Sequence, residues 1–291
     1  MKPSRDPSVL KPLAISVFLI VFGGLVALLS STSSKGRIEH EERSAYSHIR
    51  IRRTGSERAL MFVRDNGREV TESRVDISAP HHLLLPYARG MFASYLYQPH
   101  PKRVLIVGLG GGAMVHFLQH YDPDIPVDVI EIDPAIVQLA DKYFGVRTEG
   151  NVQVITGDAF EFLETTDSQY DVIFMDAFLR PSEETDSTGV PSRLKTLAFY
   201  ETLKQRLTPE GLVAFNLNRH GDTQKDIATI ASAFAQVDTY TCPPAYNLIV
   251  IACPQVLTEN EAVLTDRAKE IDRRFQATFS FAELLKNRSS Q

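Results

Sequence analysis

The residues best suited to chemistry stand where apolar runs end. Val104–Val107 leads straight into Gly108-Leu109-Gly110-Gly111-Gly112-Ala113. Glycines there permit a tight turn and a close backbone approach to a ligand, and the following helix N-terminus adds partial positive charge. The string fits G-x-G-x-x-A, a dinucleotide fingerprint. Glu131 closes the next apolar run, 23 residues after Gly108. A carboxylate so placed can accept both ribose hydroxyl hydrogens, whether of a nicotinamide dinucleotide or of a sulfonium nucleoside. Loop and carboxylate together read as a nucleoside site and leave the nucleoside open. A purely structural turn is the plainer alternative.

Three further segments follow in order: Glu131-Ile132-Asp133-Pro134, then Gly157-Asp158-Ala159-Phe160-Glu161-Phe162-Leu163, then Tyr170-Asp171-Val172-Ile173-Phe174-Met175-Asp176. With the glycine loop, this series resembles the spermidine synthase family from about Tyr46 to Cys253. The resemblance implies an α/β, Rossmann-like class I methyltransferase fold, its seven-stranded sheet mostly parallel with an antiparallel last strand. It also implies S-adenosylmethionine or its decarboxylated form as co-substrate, and a homodimer. On that pattern Gly108, Gly110, Gly111 and Gly112 cradle the nucleoside and Glu131 binds the ribose. Asp158, with Ala159 beside it, meets the adenine amino group. Asp176 accepts the proton of an attacking amine, which must lose it from a pKa near ~10.4 before it can attack carbon next to a sulfonium. The plainer roles are a helix N-cap for Asp158 and Asp133, and a loop cap for Asp176.

The sequence departs from the family where a diamine would bind. Gly111 and Leu179 stand where the family carries aspartates, and Pro80 and His82 replace a tyrosine and a glutamate, while Asp76 survives. Asp176-Ala177-Phe178 and the segment Pro191 to Phe199 resemble the divergent spermidine-synthase-like methyltransferases more closely. The expectation is therefore alkyl transfer to a nucleophilic, amine-type acceptor, nearer to methyl transfer than to strict diamine chemistry. True aminopropyl transfer and a catalytically silent nucleoside-binding protein are the alternatives. A nicotinamide oxidoreductase lacks a hydride-transfer constellation of His, Tyr or Lys. Substrate-side candidates are Asp76, His82, Asn216 and Tyr246, set against turn formation for Asn216 and a structural role for the His81-His82 pair.

These residues need strands and helices in alternation to position them. Val104–Val107, Val127–Ile132, Val152–Ile155, Val172–Met175 and Leu212–Leu217 are apolar runs separated by helical stretches, the signature of a parallel sheet covered on both faces. Val237–Cys242 and Leu248–Ala252 flank a Pro-Pro turn and read as an antiparallel pair. Upstream, alternating segments around Asn66-Gly67 read as a small antiparallel β unit. Residues 81–97 show helical spacing interrupted by Pro86. The expected organisation is an anchor and linker over 1–36, a β-rich unit over 37–100, the nucleoside-binding domain over 101–255 and a charged helical tail over 256–291.

Leu13 to Leu29 carries no charge and follows Lys2, Arg5 and Lys11. As a helix it reaches about 26 Å, just under the hydrocarbon thickness. It reads as a single-pass membrane anchor, with a cleaved signal peptide as the competing reading. The flanking charges leave the side open, and use of S-adenosylmethionine would place the domain in the cytoplasm. A net charge of −5 gives no footprint for nucleic acid. Cys242 and Cys253 form neither a metal-ligand cluster nor a disulfide framework.

Overall fold

The computed structural model describes residues 36–257 and 260–290. The anchor expected over 13–29 lies outside the described residues, and no described helix is long and apolar enough to cross a membrane.

Arg37–Arg43 (β1), His48–Thr54 (β2), Glu57–Val63 (β3) and Glu69–Asp76 (β4) form an antiparallel sheet in chain order. Alternation decides its faces. Ile49 and Ile51 of β2 are fully buried, while Arg50 and Arg52 between and beyond them pair with Glu69. The ladder between β3 and β4 slips once: Leu60 pairs with Ser73 and Met61 with Thr71, so Glu72 is left as an extra, unpaired residue. Such a bulge bends the strand and re-aims its side chains. Pro86–Met91 (α1) and a 3-10 turn over Phe92–Leu96 then lead inward. Pro86 opens this helix instead of interrupting it, because its missing N–H is no loss in a first turn.

The second sheet has the order β12-β10-β11-β9-β8-β5-β6-β7. Val104–Val107 (β5), Val127–Glu131 (β6), Val152–Thr156 (β7), Tyr170–Met175 (β8) and Leu207–Asn218 (β9) are its parallel members. Asn247–Cys253 (β11) lies antiparallel between β9 and Gln236–Thr241 (β10). The strands are apolar throughout because both faces are covered. Val104, Ile106, Val172 and Phe174 pack on one side with the small sheet; Leu105, Val107, Ile173 and Met175 pack on the other. The helices are Ala113–Tyr121 (α2), Pro134–Leu139 (α3), Ala159–Thr165 (α4), Leu197–Gln205 (α5) and Thr223–Ala233 (α6). Cys242 and Cys253 are both buried.

The sheet departs from seven strands at one edge. Glu261–Phe275 (α7) buries Leu264, Ala268, Ile271 and Phe275 at helical spacing, and Phe281–Lys286 (α8) follows. Arg288–Ser290 (β12) then adds to β10 as an eighth strand. Arg288 holds it there through a 3.0 Å bond to Asp238, a carboxylate with almost no exposure.

Phe92 joins the two halves. Its ring is fully buried, with centroids 4.1 Å from Phe117 and 5.3 Å from Phe174. Phe92→Ala is expected to destabilise the chain by about 3–5 kcal/mol in denaturant unfolding. A loss below about 1 kcal/mol would show that this junction packs without it.

Candidate active site

The chain order reverses between β5 and β8, and in open α/β sheets ligands lie in the crevice beyond the strand ends at such a point. A cavity of about 900 Å³ opens there. Gly108 and Gly110 line it, with φ of 97° and 54°, a region that favours glycine. Gly111 and Gly112 stand off the cavity. A Cβ at 111 would meet Ser73 Oγ at 2.9 Å and the Phe144 ring at 3.0 Å, and one at 112 would meet Val146 at 2.2 Å. Their glycines therefore serve packing of the loop beneath β4 and the start of α2.

Glu131 ends β6, buried at the cavity wall. Its Oε2 accepts from the Leu109 N–H and its Oε1 from the Asp133 N–H, both at 2.9 Å. The carboxylate is thus fixed against the glycine loop and keeps lone pairs for further donors. Burial raises its pKa, against those backbone bonds. Asp158 and Ala159 also line the cavity. Asp158 caps α4, its Oδ1 accepting from Phe160 N–H at 2.9 Å, while Oδ2 pairs with Arg193. Asp133 caps α3 through Ala135 N–H at 2.9 Å.

Asp176 follows the last residue of β8 and is the centre of a polar chain. Asn247 donates to Asn216 at 2.9 Å and to Asn218 at 2.7 Å, and Asn216 donates to Asp176 Oδ1 at 2.7 Å. Asn216 therefore stands in the site rather than in a turn. Burial pushes Asp176 up to about 7, opposed by Asn216 and by the neighbouring Tyr87 hydroxyl. Glu72, from the bulge in β4, lines the same cavity and is also pushed up to about 7, first by burial, with Arg64 opposing and the Asp176 charge adding.

Asp76, His82 and Tyr246 are not brought to the cavity. Asp76 caps its own turn through Ser78, the neighbouring His81 ring stacks on His120 and lies 4.5 Å from His82, and Tyr246 points outward at 83% exposure. Asn218, which ends the same apolar run as Asn216, also lines the cavity, whereas Glu72, Tyr87, Asn247 and Arg193 were not singled out by the sequence. Only the Asn66-Gly67 turn hinted that β4 would reach the site.

Six carboxylates line the cavity (Glu72, Glu131, Asp133, Asp158, Asp176 and Glu184), and among the described lining residues Arg193 is the one cation. A separate cluster of Asp186, His220 and Asp226 has metal-ligand spacing, but Lys195 already fills it. The Lys195 ammonium lies 2.8 Å from Asp186 and 2.6 Å from Asp226, which pins the 177–196 segment over the cavity.

Asp176, Glu72 and Glu131 bind their protons more tightly folded than unfolded. The resulting stability is full below the ordinary carboxyl range and is lost as pH rises toward about 7. The unliganded chain should therefore lose unfolding free energy between about pH 4 and about pH 7, and Asp176→Asn should show a shallower decline. Equal slopes for parent and variant would remove Asp176 from that titration.

The model of the spermine/spermidine synthase domain matches residues 91–259, more than half of the chain. The polyamine aminopropyltransferase of Vibrio vulnificus is 29% identical over 264 residues, covering 89% of this chain and 86% of that one. A probable spermidine synthase from Corynebacterium glutamicum superposes with a TM-score of 0.67 at 19% identity, over 88% of this chain and 91% of that one. Human Methyltransferase-like protein 13, in complex with SAH, gives a TM-score of 0.61 at 21% identity, over 67% of this chain and 94% of that one. With the sequential motifs and the doubly wound sheet, the chain belongs to the spermine/spermidine synthase family of group-transferring enzymes.

Proposed function

We propose that this chain transfers an alkyl group from a sulfonium nucleoside of the S-adenosylmethionine type to an amine. The observation that carries this reading is the shared cavity: Glu131 and Asp176 flank one glycine loop, at the ends of β6 and β8. Glu131 accepts from the ribose hydroxyls, and Asp158 receives the adenine amino group. Asp176, titrating near 7, takes the proton that the amine must lose. The amine lone pair then forms the new carbon–nitrogen bond as the carbon–sulfur bond breaks. The bonding pair leaves with sulfur, which becomes a neutral thioether. Ligands bound by relatives, such as the SAH held by human Methyltransferase-like protein 13, support a nucleoside of this kind.

Charge favours the decarboxylated donor over S-adenosylmethionine itself. Among the described lining residues Arg193 is the lone cation and is already bound to Asp158, so these residues offer no unengaged side-chain cation to a methionine carboxylate. They offer carboxylates to an ammonium. Methyl transfer stays as the second reading because Gly111 and Leu179 leave no carboxylate at two positions where the resembling family carries aspartates.

Calorimetric titration of the full-length chain with S-adenosylmethionine, its decarboxylated form, methylthioadenosine and a nicotinamide dinucleotide tests the proposal. The sulfonium nucleosides should bind and the dinucleotide should not; binding of none would sink the transferase reading. Asp176→Asn should keep nucleoside affinity within about twofold and lower turnover by about 10²–10⁴-fold. Parent turnover should rise with pH through about 7 as Asp176 ionises.

A further inference from the structure

Among the described residues that line the cavity, two buried side-chain atoms have no hydrogen-bond partner, Ser47 Oγ and Glu72 Oε1, and only the second belongs to a carboxylate. Glu72 Oε1 is buried and accepts no hydrogen bond. The nearest cation, Arg64 Nη2, stands 4.0 Å away and leaves its own Nη1 unpaired. Buried carboxylates without donors are rare, since each forfeits its solvation without compensation. Chain geometry explains how this one arose. The bulge makes Glu72 the residue that β4 does not pair to β3, so Thr71, Glu72 and Ser73 all reach the cavity wall. An ordinary strand would have turned every second side chain away.

The position is chemically pointed. Tyr87 donates to the Glu72 backbone carbonyl at 2.8 Å and stands against Asp176, so one tyrosine joins the bulge backbone to the Asp176 side of the cavity. Ser73 fills the space above Gly111, where a side chain from the glycine loop would otherwise enter. The small sheet thus closes that position and delivers a carboxylate one residue away.

We propose that Glu72 is the second half of an amine-binding pair, with Asp176, that holds the acceptor's primary ammonium group. This inference rests on the transferase reading above and names the chemistry of its acceptor. The ammonium enters between the two carboxylates and fills the vacant acceptor on Glu72. Asp176 then takes one proton, leaving a neutral amine whose lone pair can attack. Glu72 stays ionised and balances the positive charge that the nitrogen regains when the new bond forms. The groups facing Glu72 are Arg64, just after β3, Tyr87 from α1 and Asp176, just after β8. Two mutually repelling carboxyls in this setting share a proton until a cation arrives. Ammonium binding therefore releases it.

The test uses the full-length chain saturated with methylthioadenosine, titrated with n-butylamine and with 1,4-diaminobutane near pH 7 in buffers of different ionisation enthalpy. The parent should bind the amines with release of up to about one proton. Glu72→Gln should keep methylthioadenosine affinity, weaken amine binding by about tenfold or more and reduce the proton release. Glu72→Asp, which restores the charge one methylene short, should recover part of both. A structural role would leave the proton release and the rescue unmoved. Equal amine affinity and equal proton release in parent and Glu72→Gln would overturn the inference. So would a parent that binds methylthioadenosine but neither amine, and that result would leave the nucleoside reading standing. A parent that binds no nucleoside would remove both.

Discussion

The backbones of β5 and β8 come together so closely at their C-terminal ends that position 108 admits no side chain. A Cβ there would lie 2.3 Å from the Asp176 carbonyl oxygen, and the Asp176 N–H donates to the Val107 carbonyl at 2.9 Å. The glycine turn and the Asp176 carboxylate, proposed to meet the nucleoside and the acceptor, are therefore one rigid unit. Glu131 extends it, because its carboxylate grips the loop at Leu109. Donor and acceptor chemistry depend on a fixed distance, so a movement at either strand end would be felt at both.

Around that unit the fold treats its acids in two ways. Where rigidity is wanted, they are neutralised from within: Lys195 sits among Asp186, Asp226 and His220, and Arg288 closes on Asp238. Where the cavity opens, Asp176 and Glu72 meet amides, a tyrosine and a distant guanidinium instead of a close cation. Burial then lifts both toward neutrality. Such perturbed carboxyls weaken an empty protein and strengthen one that holds a cation, the usual bias of a binding site over a structural ion pair.

Much of this was legible in the residues, and the limits have physical reasons. Strands buried on both faces read as continuous apolar runs, so β5, β6 and β8 were plain, and the carboxylates that follow them fell at the ligand edge by topology alone. Glu72 was invisible because period-2 alternation assumes an unbroken ladder, and a bulge changes the facing of every residue beyond it without changing composition. Asn247 and Arg193 come from distant segments whose approach depends on β11 pairing with β9 and on the Lys195 knot. The β12 edge strand follows from a single buried ion pair, which three terminal residues do not announce. Asp76 and His82 carried a family pattern into a turn whose own hydrogen bonds had already used them.

Asp158 shows how a cap and a ligand contact can share one side chain. Its Oδ1 is committed to the first turn of α4, and Arg193 holds Oδ2 from the segment that covers the cavity. Each carboxylate oxygen has two lone pairs, so an adenine amino group can join Arg193 at Oδ2 without displacing it. The guanidinium also lies 5.8 Å from the Phe160 ring centre, a second contact that holds it beside Asp158. Covering segment, helix cap and the proposed base contact thereby meet at one carboxylate. The Asp158 end of the cavity is covered by the residue that pairs with its carboxylate, while the carboxylates at the β4 and β8 end have no such close cation.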